Sequence, residues 1–380
     1  MPGWMGQHFM LIAEAVDEPV RTNYARLFFI ITVIVVLVIL FGIGRLLKGQ
    51  PESFIDPAIV RNFNKRITTW LAMTTILTAA LLFSKTTIVV VFFLLSFWAL
   101  REYITMTPTR RADHRTLFWA FILFTPLQYV LVGMGREIEF RMFDSTFDAY
   151  QLYSIMIPVY ASLFIPFRTA LSGDDRRFLE RIAKIQFGLL VCVYALSYAP
   201  ALLYMKLNYW NPENGQLEPW KYSNVGLLFY FIVIVQVNDV MQFIWDKMVG
   251  RKVIAPTINS TRTWEGFFGA AVCTSLVGML IPIVFSDRIT PFQWFGSGCM
   301  ALVISVMGFA GSITMSAIKR DRGVNDYGTL VTGHAGVLDR IDSICFAAPV
   351  FYHVTRVFLE IKPSVESAGA SETAQRLLQF

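Results

Sequence analysis

Between Ser316 and Asp342 the chain reads S-A-I-K-R-D-R-G-V-N-D-Y-G-T-L-V-T-G-H-A-G-V-L-D-R-I-D, a dense polar island between two long apolar stretches. Hydrocarbon tolerates such groups only when they are paired, hydrated or bound to ions or ligands. Asp326, Asp339 and Asp342 are oxygen donors of the kind Mg²⁺ prefers, and Asp339 and Asp342 stand three residues apart, on one face of a helix. Lys319, Arg320 and Arg340 can neutralise a polyphosphate. His334 can donate a hydrogen bond or a proton to a phosphate oxygen. Gly323, Gly328, Gly333 and Gly336 permit tight turns and close backbone approach.

Two upstream segments extend this chemistry. Asn238 and Asp239 lie inside an apolar run, with Asp239 six residues before Trp245 and so roughly 9 Å deep at the rise of a helix. A carboxylate at that depth costs on the order of 2.5–3.5 kcal/mol on insertion scales, so it either lines a hydrated functional cavity or is paired with a basic residue while Asn238 bonds a neighbouring helix. Gln242 and Asp246 follow on the same helical face. The loop from Gly250 to Gly266 then supplies Arg251, Lys252 and Arg262, with Asn259, Ser260, Thr261 and Thr263 as further donors. Asn259 to Thr263 can equally cap the next helix, whose N-terminus favours an anion. Glu102 beside Arg101 reads as an ion pair at a membrane edge. His8, His114 and His353 have no comparable company.

Phosphate-binding cations next to metal-binding carboxylates suit nucleotidyl transfer, in which metal ions bridge phosphate oxygens and align nucleophile and leaving group. A phosphate monoester needs no strong general base, because its second pKa is near 6. The absence of a Ser–His–Asp or Cys–His pattern is consistent with that.

The elements that hold these residues are dictated by composition. Hydrophobic residues make up 55% of the 380 residues and charged residues 16%, which is membrane-protein composition. A crossing needs about 20 apolar residues, and about ten stretches qualify: Leu27–Gly44, Ile67–Ser84, Thr86–Leu100, Leu117–Met134, Leu152–Phe167, Ile185–Met205, Val225–Trp245, Gly266–Phe285, Phe292–Ile313 and Ile341–Phe358. The second and third are separated by little more than Ser84 and Lys85, which implies a helical hairpin. The runs are continuously apolar, so they are helices and not barrel strands. About two-thirds of the 33 basic residues fall in alternate loops, which the positive-inside rule assigns to the cytoplasm. The net charge of +6 therefore reflects topology and anionic lipid, with no nucleic-acid partner. Residues 1–25 lack the basic region of a signal peptide. Cys192, Cys273, Cys299 and Cys345 sit in apolar spans and read as buried small hydrophobes. The aromatic loop around Tyr209, Trp210, Trp220 and Tyr222 reads as an interfacial belt.

The Ser316–Asp342 run resembles the signature of the phosphatidate cytidylyltransferases, the CDP-diacylglycerol synthases: S-x-x-K-R-x4-K-D-x-G, a short spacer, then H-G-G-x-x-D-R-x-D. Ser316, Lys319, Arg320, Asp326, Gly328, His334, Gly336, Asp339, Arg340 and Asp342 match with spacing preserved. The Asp239 segment and the loop G-R-K-V-I-A-P-T-I-N-S-T-R-T-W-E-G resemble the family's membrane aspartate and its A-P-K-x-S-P-G-K-T-W-E-G loop. Ala99 to Tyr103 resembles a further short family segment. Departures are Asn325 for a lysine, Ala335 for a glycine, Thr257 for a lysine, Asn259 for a serine, Ser260–Thr261 for Pro–Gly and Arg262 for a lysine, the pattern of a divergent branch.

The apolar runs predict an all-α polytopic bundle of about ten transmembrane helices. Six or so spans would lie in residues 1–224, catalytic helices with nucleotide- and metal-binding loops in 225–361, and a polar tail in 362–380. The reaction that the resemblance implies converts CTP and phosphatidate to CDP-diacylglycerol and pyrophosphate. Asp326, His334, Lys319 and Arg320 would be catalytic. Arg262, Arg340, Lys252 and Ser316 would bind substrate. Asp239, Asp326, Asp339 and Asp342 would hold Mg²⁺, with room for a second cation. The expected partners are CTP, phosphatidate or a related acidic lipid, and the membrane, with a homodimer left open. The expected location is the bacterial inner (plasma) membrane, with catalytic loops in the cytoplasm. Alternatives are a CTP-dependent enzyme acting on another lipid phosphate or lipid alcohol, and a non-catalytic membrane protein or transporter that retains the site.

Overall fold

The computed structural model describes residues 84–107, 109–135, 139–142, 145–211, 216–220, 222, 224–285, 289–324 and 336–359, with isolated positions between 31 and 75. Seven described helices are long and apolar enough to cross a membrane: α1 Lys85–Met106, α2 Arg111–Met134, α3 Ala149–Ala170, α4 Phe178–Tyr204, α5 Val225–Met248, α6 Trp264–Phe285 and α7 Trp294–Asp321. An eighth, α8 Leu338–Leu359, has the length but carries more charge. These eight coincide with the third to tenth expected spans. Leu27–Gly44 and Ile67–Ser84 lie outside the described residues, apart from Ser84 and the isolated positions. Ser84 caps α1 by accepting the Thr87 amide at 3.1 Å.

Helices α5, α6 and α7 pack successively against one another, and α8 lies against α7, α4, α5 and α1. That interior course explains why α8 tolerates its charges. Leu338, Ile341, Ile344, Cys345, Ala348 and Phe351 are buried, as is Ser343, and Asp339, Arg340, Asp342 and Arg356 are half-buried, so its charged residues lie largely against protein. Helix α6 is the opposite case. It is apolar all round and exposes Phe268, Val272, Leu276 and Leu280 on one outward stripe.

The prolines of α3 show how the bundle satisfies its backbone without water. Pro158 and Pro166 leave the carbonyls of Ser154 and Ser162, four residues earlier, without their helical partners. Tyr194 Oη donates to Ser154 O at 3.1 Å and Gln186 Nε2 to Ser162 O at 2.8 Å. Both donors come from α4, so each proline stitches α3 to its neighbour. Wider π-type turns occur at Met156–Ala161 in α3, Ala120–Phe124 in α2 and Leu189–Ala195 in α4.

Among the described residues three antiparallel ribbons cap the helix ends and leave the all-α class intact: β1 Glu139–Met142 with β2 Ser145–Asp148, β3 Asn208–Asn211 with β4 Gln216–Pro219, and β5 Val253–Ala255 with β6 Asn259–Thr263. The third lies at the basic end of the bundle. At that same end Arg181 is almost fully buried and grips Asp113 at 2.6 Å, while also donating to the carbonyls of Asp174 and Arg176. A buried ion pair is favourable only when its remaining donors are also satisfied, and here they tie the start of α2 to the start of α4.

The cysteines are all free. Cys192 and Cys345 are buried as expected, whereas Cys299 is exposed because its side of α7 faces outward.

Candidate functional site

Asp239 and Asp342 come from α5 and α8, and one hydroxyl joins them. Ser343 Oγ donates to Asp239 Oδ1 at 3.0 Å and lies 3.5 Å from Asp342 Oδ1, while the Ser343 amide donates to the same Asp342 oxygen at 2.7 Å. Helix α7 reaches both because it carries glycine where they approach. A Cβ on Gly311 would stand 2.7 Å from Asp342 O, and one on Gly308 would touch Asn238 Nδ2 and Ser343 Cβ. Ser305 Oγ on α7 donates to Asn238 Oδ1 at 2.5 Å. The expected polar face of α5 is therefore real, and it is met by a serine row on α7 (Ser305, Ser312, Ser316).

One and two turns further along α5 come Gln242 and Asp246. Asp246 organises the β5–β6 hairpin. Its Oδ1 accepts the Thr263 amide at 3.0 Å and the Thr263 hydroxyl at 2.8 Å, and its Oδ2 lies 3.4 Å from Arg262. Thr263 Oγ1 in turn accepts the Gly266 amide at 3.0 Å, capping α6. Glu265 accepts the amides of Arg251 and Lys252 at 3.2 and 3.1 Å. Thr263 thus caps the start of α6, as the reading of Asn259 to Thr263 as a capping segment expected. Arg262 is buried and also donates to Ser312 Oγ at 3.0 Å. A guanidinium has five N–H donors, so it retains some for a phosphate.

Ser316 donates to Ser312 O at 2.7 Å and receives Asn259 Nδ2 at 3.2 Å, locking the hairpin to α7. Arg320 Nε reaches Ile258 O at 3.3 Å on the same hairpin. Lys319 Nζ donates to Asp339 Oδ1 at 2.8 Å across the α7–α8 junction. Arg340 is half-buried one residue on, and Lys252 is exposed on the hairpin. Asp326 and His334, with Asn325 and Ala335, lie outside the described residues.

Sequence reasoning missed Ser343, mispaired Glu102, and named Gln242 and Asn238 without showing how they are bonded. Ser343 is the hub of the acidic pair, and its only signal was adjacency to Asp342. Gln242 is buried and, among the described residues, neither of its amide atoms has a hydrogen-bond partner, nor does Asn238 Nδ2. Glu102 does not serve Arg101. Arg101 stacks over the Trp98 ring at 5.1 Å, and Glu102 instead accepts the amides of Val337 and Leu338 at 3.0 and 2.9 Å.

Two carboxylates from separate helices, bridged by a hydroxyl beside unpartnered amides, are a hard-oxygen donor set that fits Mg²⁺. That ion is commonly held by one or two carboxylates together with waters and substrate phosphates. Among the described residues no three His, Cys, Asp or Glu side chains converge as a complete metal cage. Asp339 is engaged by Lys319.

The chain is similar in sequence to several known proteins. An uncharacterized Escherichia coli (strain K12) protein, YnbB, is 33% identical over 265 residues, covering 70% of this chain and 78% of that protein. A phosphatidate cytidylyltransferase of Brucella suis is 31% identical over 151 residues, 40% of this chain and 53% of the relative. One of Staphylococcus aureus (strain COL) is 34% identical over 125 residues, 32% of this chain and 46% of the relative. The chain thus spans about half the length of these two named enzymes. A profile of the cytidylyltransferase family matches residues 64–358, which takes in all eight described helices but the last residue of α8. By the extent of that match the chain belongs to the cytidylyltransferase family and is a nucleotidyltransferase.

Proposed function

We propose that this protein transfers the cytidylyl group of CTP to phosphatidate, forming CDP-diacylglycerol and pyrophosphate, at a cytoplasm-facing cavity of the bacterial inner membrane. The observation that carries the reading is the Asp239–Ser343–Asp342 contact, with Lys319, Arg320 and Arg340 gathered at the same helix ends. The named Brucella and Staphylococcus relatives support the choice of reaction.

In this reaction an oxygen of the lipid phosphate attacks the α-phosphorus of CTP. A new P–O bond forms, the bond to the bridging oxygen of the β-phosphate breaks, and pyrophosphate leaves with that electron pair. Mg²⁺ held by Asp239 and Asp342, with Asp326 as a further ligand, would neutralise charge on the phosphates. The chain's own residues do the rest. Arg320 and Arg340 offer donors to the triphosphate, and Arg262 holds the hairpin while keeping N–H groups for it. Lys319 lies within reach of the same charge. His334 is assigned to orient a phosphate or to stabilise the departing pyrophosphate. Closing these groups into a low-dielectric site raises the value of each charge contact.

A second acceptor deserves a parallel assay. Thr257 and Asn325 stand where the resembled signature has lysines, so the charge around the substrates is reduced. An acceptor with a different phosphate headgroup would fit that change. Purified protein incubated with labelled CTP, Mg²⁺ and a panel of lipid phosphates and lipid alcohols separates the two. Label appearing with phosphatidate supports the first reading, and label appearing only with another acceptor replaces it.

A further inference from the structure

Glu102 closes the last turn of α1 and is 8% exposed. Its Oε1 accepts the Val337 amide at 3.0 Å and the Trp98 indole N–H at 3.1 Å, and its Oε2 accepts the Leu338 amide at 2.9 Å. Leu338 is the first residue of α8 and is fully buried. The first amides of a helix lack intrahelical acceptors, and a carboxylate there is favoured by the helix dipole as well. An acid from the N-terminal part of the chain therefore supplies the N-terminal anchor of the helix that bears Asp339, Arg340, Asp342 and Ser343.

The anchor is itself held. Tyr103, the next residue, packs on α4, where a Cβ on Gly188 would stand 2.7 Å from the Tyr103 ring. Trp98 fixes one carboxylate oxygen, and Arg101 covers the Trp98 ring. Each residue of a helix turns it by about 100° and advances it by 1.5 Å. A small slip at Leu338 would carry Asp342 and Ser343 away from Asp239.

We infer that Glu102 is a positioning residue for the transfer reaction, setting the register of α8 and through it the Asp239–Ser343–Asp342 contact. This rests on the proposed function for its catalytic readout.

The test compares wild type, Glu102→Ala and Glu102→Gln, each purified in nanodiscs. Hydrogen–deuterium exchange at residues 337–340, thermal unfolding, steady-state kinetics with CTP and phosphatidate, and Mg²⁺ titration are measured on each. In Glu102→Ala, exchange at those amides rises, kcat falls by about tenfold or more, as expected for a sub-ångström to ångström displacement, and the Mg²⁺ concentration for half-maximal rate increases. KM for CTP changes little. Glu102→Gln keeps an acceptor of the same reach and recovers much of kcat. A merely structural role would lower the melting temperature while leaving kcat per folded enzyme and the Mg²⁺ dependence at wild-type values, and that result overturns the inference. Unchanged exchange at 337–340 overturns it as well. Wild-type protein that forms no cytidylylated lipid defeats the proposed function and this role with it, whereas active wild type with an unaffected Glu102→Ala defeats this role alone.

Discussion

Lys319 and Asp339 face each other across the α7–α8 junction at 2.8 Å, both largely buried. Each was assigned by sequence to a different substrate group, one to phosphate and one to metal, yet here they neutralise each other. A charge-assisted bond between such groups holds the two helices together and keeps an ammonium close to the acidic pair. Removing one partner of a buried pair leaves the other charge undercompensated, while removing both need not destabilise. We therefore expect Lys319→Met and Asp339→Asn each to lower the melting temperature and to reduce activity more than about tenfold, the scale of a lost transition-state charge contact. The double variant should regain most of the melting temperature and none of the activity. Recovery of activity in the double variant would make the pair purely structural.

A second expectation concerns the hairpin. A Cβ at Gly266 would collide with Asp246 Oδ1, and the carboxylate cannot yield without giving up Thr263. Gly266→Ala should destabilise by on the order of 1–3 kcal/mol, as overpacking does. In an Asp246→Ala background the two nearest colliding atoms are gone and only Thr263 Oγ1, at 2.9 Å, still crowds the new methyl, so the same substitution should cost less. Thermal unfolding of the four proteins measures the coupling directly, and additive losses would argue against the Asp246 contact as the cause.

The unpartnered amide of Gln242 leads to a third. An unsatisfied buried polar group costs about 1–3 kcal/mol. Such a cost persists where function requires it. Gln242→Met should raise the melting temperature and lower kcat/KM, because the amide lies one turn from Asn238 on the face that meets α7. A lowered melting temperature, or an unchanged kcat/KM, would remove Gln242 from the site.

The eight described helices were legible because apolar runs of about 20 residues have one structural solution in a bilayer. Asp239 stood out for the complementary reason, since a carboxylate in such a run is costly, and Asp342 stood out by its spacing from Asp339. What sequence could not show is which groups pair across helices. Glu102 sits beside Arg101, so the ion pair was the local choice, but its partners are amides 235 and 236 residues away. Ser343, Ser305 and Ser312 look like ordinary small residues until α5, α7 and α8 are brought together. The Thr263 cap of α6 was legible in the sequence, but not that Asp246 of α5 holds the capping hydroxyl.

The acidic pair supports a fourth expectation. Asp239→Asn and Asp342→Asn should each reduce activity by about two orders of magnitude, and the double variant should be little worse than either, because groups that act as one unit are non-additive. Exchange of Mg²⁺ for EDTA should abolish wild-type turnover, and Mg²⁺ should raise the melting temperature of wild type more than that of either variant through ligand linkage. A variant with wild-type activity excludes that carboxylate from the site.

The most direct measurement is incorporation of label from [α-³²P]CTP into lipid by the purified protein in nanodiscs, with phosphatidate and Mg²⁺. The account predicts CDP-diacylglycerol and an equal amount of pyrophosphate, both absent without Mg²⁺ and both lost in Asp239→Asn. Properly folded wild-type protein that yields neither product with phosphatidate would contradict it.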